Sequence, residues 1–258
     1  MSLQKIRIFN ANAIKIIAAI TMVIDHIGLL FFPYDLVLRA IGRISMPLFS
    51  FALAEGCRYT KNKTKHFLFL FALAIGFQIV YSIATNDFYL NILLTFSMSV
   101  LAIYSLQFFK KELFKENRKI GRILLSGALF VAVIAGIYII CNVFTKFLPY
   151  TVDYGFWGCM LPVFSSLLDF HRIPAPDVLQ KIDRAPLRVL CLGIGILFFY
   201  IFSPKQHPLL SVIPFAFLSL LFLFLYNGEK GKRNTKYFFY IFYPAHLLLL
   251  YGVAMLLW

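Results

Sequence analysis

Asp25 and His26 stand side by side in VIDHIG, the run from Val23 to Gly28. Arg39 and Arg43 follow a short turn later, spaced so that both guanidiniums share one helical face. An imidazole with a near-neutral pKa can take a proton from a hydroxyl or amine as that group attacks a carbonyl. A neighbouring carboxylate could tune the ring. Adjacent helical residues diverge by about 100°, however, so Asp25 could pair with an arginine instead. Guanidinium binds phosphate in a fork or steadies an oxyanion. Glu55 and His246 are further ionisable groups in apolar surroundings, and Asp153 opens another apolar run. The same residues also admit a plain reading, in which Asp25 neutralises Arg39 or Arg43 as a structural pair.

The surroundings make those charges costly. The chain has 258 residues, of which 61% are hydrophobic, 18% aromatic and 14% charged. Its mean hydropathy is +0.81. Soluble domains carry roughly 25% charged residues, so this is the composition of a polytopic membrane protein. A charge at the centre of a spanning helix costs about 2.5–3.5 kcal/mol on insertion scales, and such residues usually face a bundle interior. The net charge of +14 would suggest nucleic acid in a soluble protein. Here it sits in short loops, so no nucleic-acid partner is expected. Cys57, Cys141, Cys159 and Cys191 show no CxxC or Cys/His spacing and read as small apolar residues. No metal site is expected.

The elements that must position these groups are helices. A span needs about 20 apolar residues. Nine segments qualify, at roughly 13–33, 36–56, 66–84, 89–109, 120–145, 152–170, 187–203, 208–226 and 236–257. The runs are continuous, without the two-residue alternation of spanning strands. The first has spanning length and no small-x-small site, so it reads as a span and not as a cleavable signal. With the N-terminus inside, Lys146 and Lys205 are the basic residues of the outside loops, and Arg39 and Arg43 lie within the second span. All other lysines and arginines fall inside. The expected fold is therefore an all-α polytopic membrane helix bundle of about nine transmembrane helices, N-in/C-out, forming a single domain over 1–258. The three prolines of HRIPAPDVLQKIDRAP, residues 171–186, argue against a continued helix there.

Several stretches resemble the TraX family: AIKIIAAITMVIDHIG, RAIGRISMPLFSFALAEGCRYTKN, LNILLTFSMSVLAIY, DYGFWGCMLPVF and KYFFYIFYPAHLLLLYG, in that order. The family's founding activity is acetylation of the N-terminus of a conjugative pilin subunit. The family is related to the acyltransferase type 3 enzymes, which pass an acyl group from cytoplasmic acyl-CoA to acceptors across the membrane. Their first span carries a basic residue, ten intervening residues and an essential histidine. Lys15 and His26 have that spacing, with Lys where Arg is common.

The resemblance implies a membrane-embedded acetyltransferase in the cell (cytoplasmic) membrane. Acetyl-CoA would be the acyl donor, and the acceptor an extracytoplasmic pilin-like peptide amine or a glycan hydroxyl. His26, with Asp25 beside it, would be catalytic. Arg39 and Arg43 would hold a CoA phosphate or the reacting carbonyl, and Lys15 and Arg58 would meet the nucleotide phosphates. Asp153, Tyr154, Tyr243 and His246 would line the acceptor side. Two other readings use the same charges: a transporter or flippase, and a structural assembly factor. A transporter favours two halves with matching interrupted helices, and no such repeat is visible.

Overall fold

A computed structural model describes residues 7–85, 87–202, 210–231 and 236–257. Lys5, Lys205, Lys232 and Arg233, counted above for orientation, lie outside the described residues. Among the described residues the fold is α-helical apart from one two-residue parallel pairing and an isolated bridge between Phe9 and Tyr226, and it divides into two compact units, 1–52 with 196–258, and 53–195.

In the first unit, α1 spans Ala11–Phe31. Its start is well determined. The Asn10 side chain accepts from the Ala13 amide at 3.0 Å, which satisfies one of the otherwise unbonded first-turn donors. The residues before it are tied to 225–229 by Phe9 N–H to Leu225 O, Asn227 N–H to Phe9 O and Ala11 N–H to Glu229 O. Helix α2, Leu36–Gly42, begins under the Asp35 side chain, which accepts from the Val37 and Leu38 amides. A two-residue turn leads into α3, Ser45–Tyr59. Ser45 Oγ donates to Ala18 O at 2.9 Å, pinning the start of α3 to α1. The unit closes with α10, Leu218–Phe224, preceded by a 3-10 stretch, Leu210–Phe217, and with α11, Lys236–Leu257.

Helices α1 and α2 pack unusually close, because glycine stands at the crossing. A Cβ on Gly42 would lie 2.2 Å from Asp25 Oδ1 and 2.3 Å from Asp25 Cβ. One on Gly28 would lie 2.8 Å from Leu38 Cβ. The glycine of IDHIG and that of RAIGRI therefore let the two helix backbones approach, and α2 comes within reach of the Asp25 carboxylate.

In the second unit, α4 (Lys63–Thr85), α5 (Ile92–Leu113) and α6 (Ile120–Tyr138) follow in order. Only 17% of the α4 window and 11% of the α6 window is buried, against 67% for α5. All three are predominantly apolar, so the bare faces of α4 and α6 suit lipid, while α5 forms the centre of this unit. Asn91 caps α5 by accepting from the Leu93 and Leu94 amides. Tyr89–Leu90 pairs in parallel with Thr151–Val152. After α6 the backbone passes through a π turn, Ile139–Val143, and the Ile140 carbonyl accepts from Tyr150 Oη at 2.7 Å. Tyr150 lies in the following loop, where burial and then the nearby Cys141 push its phenol up from the ordinary value. Helices α7 (Gly155–Ser166), α8 (Asp177–Ile182) and α9 (Ala185–Phe202) complete the fold. Lys110 Nζ donates to Ser166 O, Leu167 O and Asp169 O at 2.8–3.0 Å. It thereby satisfies carbonyls that the end of α7 leaves without helical partners.

The nine expected spans are not recovered in that number. Among the described residues six helices are long and apolar enough to cross: Ala11–Phe31, Leu36–Tyr59, Lys63–Ile83, Ile92–Leu113, Ile120–Lys146 and Ala185–Phe202. Ser211–Phe224 and Ile241–Leu257 are shorter apolar stretches. The expected span at 152–170 is the helix α7 of 12 residues. At ~1.5 Å rise per residue it falls well short of a ~30 Å hydrocarbon core. Hydropathy marks apolar sequence, but it does not show where the helical hydrogen bonding stops.

Gly42→Ala should lower stability by about 1–3 kcal/mol, as overpacking does. Gly76, with nothing within 4 Å of its would-be Cβ, should accept alanine without loss. Thermal unfolding of the two variants in the same detergent compares them directly.

Candidate functional site

The first unit gathers most of the singled-out residues. Asp25 is buried on α1, and its carboxylate meets Arg39 of α2 and Arg43 just past the end of that helix. Arg39 Nη1 is 3.0 Å from Asp25 Oδ1. Arg43 Nη2 donates to Oδ1 and Oδ2 at 2.7 and 2.8 Å. Arg39 Nη1 also donates to the Asp25 backbone carbonyl at 3.0 Å, and Arg43 Nε donates to Arg39 O at 3.2 Å. The guanidinium of Arg39 thus sits against the peptide group that joins Asp25 to His26. Three ionised side chains share this cluster, two cationic and one anionic, so together they carry net +1.

Of the two readings of Asp25 that the sequence leaves open, the structure shows the pairing with the arginines. The carboxylate turns to α2, as the angular offset of adjacent helical residues permits, and the imidazole has different partners. His26 Nδ1 lies 2.9 Å from Met22 O, one turn back on α1. On α11, His246 Nδ1 lies 2.9 Å from Phe242 O, by the same one-turn arrangement. The two rings meet: His246 Nε2 is 3.3 Å from His26 Nδ1, with ring centroids 5.0 Å apart and an edge-on angle of 60°. Phe242 stacks on the His246 ring at 5.2 Å and 11°, and Tyr243 meets its edge at 5.7 Å. His246 is buried and His26 half-buried.

Lys15 lies on α1, eleven residues before His26, which is close to three whole helical turns. The two side chains therefore share a face and stand ~16 Å apart along the axis.

The other expected residues lie in the second unit and belong to its own networks. Asp153 Oδ1 accepts from Tyr89 Oη at 2.5 Å, and Asp153 O accepts from Thr95 Oγ1 at 2.8 Å. Tyr154 has φ 60° and starts α7 from the left-handed region. Arg58 Nη1 is 2.6 Å from Asp169 Oδ1 and 2.6 Å from Asp183 Oδ1. Asp183 Oδ2 also accepts the Phe170 amide at 3.0 Å, and Asp169 Oδ1 the His171 amide. Next to them Arg188 pairs with Glu55. Two arginines and Lys110, whose Nζ binds the Asp169 carbonyl, set three cations against three carboxylates. Arg58, expected at the nucleotide phosphates, here meets the carboxylates of Asp169 and Asp183 and ties the 167–184 segment to α3.

The partners Asp169, Asp183 and Arg188 were not singled out from sequence. One signal was present: two aspartates, Asp169 and Asp183, flank the proline-containing stretch between two apolar helices. His171, in that loop, is held below the usual histidine range by partial burial first and then by the Arg58 and Arg172 charges. Among the described residues no group of three or more His, Cys, Asp or Glu could hold a metal ion.

A family model described as TraX protein matches residues 10–254. The chain belongs to the TraX family. Among curated relatives, a probable fimbrial assembly protein, FimC of serogroup H1 from Dichelobacter nodosus, is 29% identical over 96% of this chain and 97% of its own length. An uncharacterized protein, RP591, of Rickettsia prowazekii (strain Madrid E) is 39% identical over 27% of this chain and 28% of its own. No solved structure matches. Family and apolar helices together make this TraX protein a multi-pass membrane protein.

Removing one partner of a buried ion pair strands the other, at about 3–5 kcal/mol. Arg58→Met should therefore show its effect as a loss of that size in unfolding free energy. Denaturation of the detergent-solubilised protein measures it.

Proposed function

We propose that this TraX protein is an acetyltransferase of the cytoplasmic membrane, taking acetyl from cytoplasmic acetyl-CoA and passing it to an amine or hydroxyl on the outer side. The observation that carries the reading is the half-buried His26 imidazole beside a cluster of net +1. The name of the Dichelobacter nodosus relative, a fimbrial assembly protein, supports a pilus-related acceptor such as a pilin-like peptide amine.

The roles follow from the chemistry of the groups. His26 Nε2 takes the proton of the acceptor N–H or O–H. The electron pair released on the acceptor forms the bond to the acetyl carbonyl carbon. The C–S bond breaks, and its pair leaves on the CoA thiolate. Arg39 and Arg43 bring one more positive charge than Asp25 cancels, in surroundings where charge interactions are strong. Developing negative charge on the carbonyl oxygen is favoured beside them. Lys15, on the His26 face of α1, is suited to a phosphate of the donor. A long thin pantetheine arm then lies along that face, between a phosphate held by Lys15 and a thioester at His26.

Two measurements test this. In purified protein given acetyl-CoA, His26→Ala should cut acetyl release or transfer by at least about 10²-fold, the usual weight of a general base, with the melting midpoint held. Near-normal turnover in that variant would remove His26 from the chemistry. CoA at a hundred times its Kd should stabilise the protein by about 2.7 kcal/mol, and the absence of any shift at saturating CoA would favour a transporter.

A further inference from the structure

Both histidine rings place Nδ1 against a main-chain carbonyl, His26 at Met22 O and His246 at Phe242 O, each at 2.9 Å. A carbonyl oxygen only accepts, so each Nδ1 must carry a hydrogen. A neutral ring with hydrogen on Nδ1 has its lone pair on Nε2. The 3.3 Å contact between His246 Nε2 and His26 Nδ1 then has one consistent assignment. The His26 Nδ1–H is shared between Met22 O and the His246 Nε2 lone pair. The acceptor on α11 is held in place by its own carbonyl bond and by the Phe242 and Tyr243 rings.

We propose that His246 is a positioning residue for His26. Met22 O already sets the Nδ1–H tautomer; His246 takes a share of that N–H, steadies the ring with its Nε2 lone pair available for the acceptor's proton, and shares the positive charge once that proton has arrived. This role takes the place that a carboxylate holds in a serine-hydrolase triad. It falls to a neutral ring here because Asp25 is bound to two arginines. The proposal rests on the acetyltransferase reading for its catalytic meaning, but the tautomer stands or falls by itself. When His26 Nε2 gains the acceptor's proton, the ring becomes an imidazolium. Its Nδ1–H then points at a second, neutral imidazole, whose Nε2 can accept that hydrogen bond more strongly than before. The source of the device is legible in the motifs: the histidine of IDHIG on α1 meets the histidine of YPAHL on α11.

The test is nitrogen NMR of the full-length protein in detergent micelles, with histidine labelled at both ring nitrogens and His26 assigned by its loss in His26→Ala. The expected wild-type spectrum shows His26 neutral, with Nδ1 protonated and Nε2 bare. A wild-type His26 protonated at Nε2 would overturn the proposal without any variant. His246→Leu should keep the Nδ1–H form, held by Met22 O, but shift the Nδ1–H resonance as its second acceptor is lost, whereas His246→Gln, whose amide oxygen can still accept, should hold the wild-type resonance. An unchanged Nδ1–H resonance in His246→Leu would overturn the proposal, and so would the His246→Leu resonance appearing in a folded His246→Gln. With acetyl-CoA as the probe, turnover should fall about tenfold in His246→Leu, the weight of one hydrogen bond, and recover in His246→Gln. Should the tautomer behave as expected while wild-type protein shows no turnover of acetyl-CoA, the pairing stands and the acetyltransferase reading falls.

Discussion

A single carboxylate held between two guanidiniums organises the first unit. In an apolar segment, ionised groups persist only when each finds a partner, because desolvation is otherwise prohibitive. Asp25, Arg39 and Arg43 satisfy that demand together, and the requirement reaches into the backbone. Glycine at 42 clears the space the carboxylate fills, and glycine at 28 lets α2 lie against α1. Ser45 on α3 then closes on the α1 carbonyl at Ala18. One electrostatic constraint accounts for three otherwise separate choices of small residue.

The molecule holds a second ionic cluster, and the contrast between the two separates scaffolding from candidate chemistry. In the 53–195 unit, Arg58, Arg188 and Lys110 face Glu55, Asp169 and Asp183. The charges cancel, and the carboxylates also take main-chain amides. Such a cluster can fasten the segment between two helices. In the first unit two cations share one anion. A surplus positive charge in low dielectric is costly at rest and valuable when negative charge develops nearby. That difference in balance makes Arg39 and Arg43 candidates for a reacting carbonyl.

The imidazoles follow a related logic. Both histidines bond back to the carbonyl one turn earlier, a local device that needs no partner helix and fixes the ring's orientation within its own segment. Packing α11 against α1 then joins two rings that are already oriented. A histidine prepared this way meets a neighbour without the entropy cost of choosing a rotamer at that moment.

Much of this was readable in the chain alone. Composition and run length determined an all-α membrane protein, because apolar surface on that scale has no stable place in water and spanning helices satisfy their own backbone. The motif residues determined the family. Helical periodicity put Arg39 and Arg43 on one face and Lys15 on the face of His26, since these relations are local. Partners across the fold were not readable. The pairing of Asp25 with Arg39 and Arg43 was one of two readings the sequence left open; that Arg58 would be claimed by Asp169 and Asp183, 111 and 125 residues away, and that His26 would meet His246 from 220 residues on depended on which helices pack together. The number of spans was not readable either, since apolar composition does not mark where helical hydrogen bonding stops, as the 12 residues of α7 show. Sequence periodicity carries the angle of a side chain about its own helix, and only tertiary packing decides what waits at that angle.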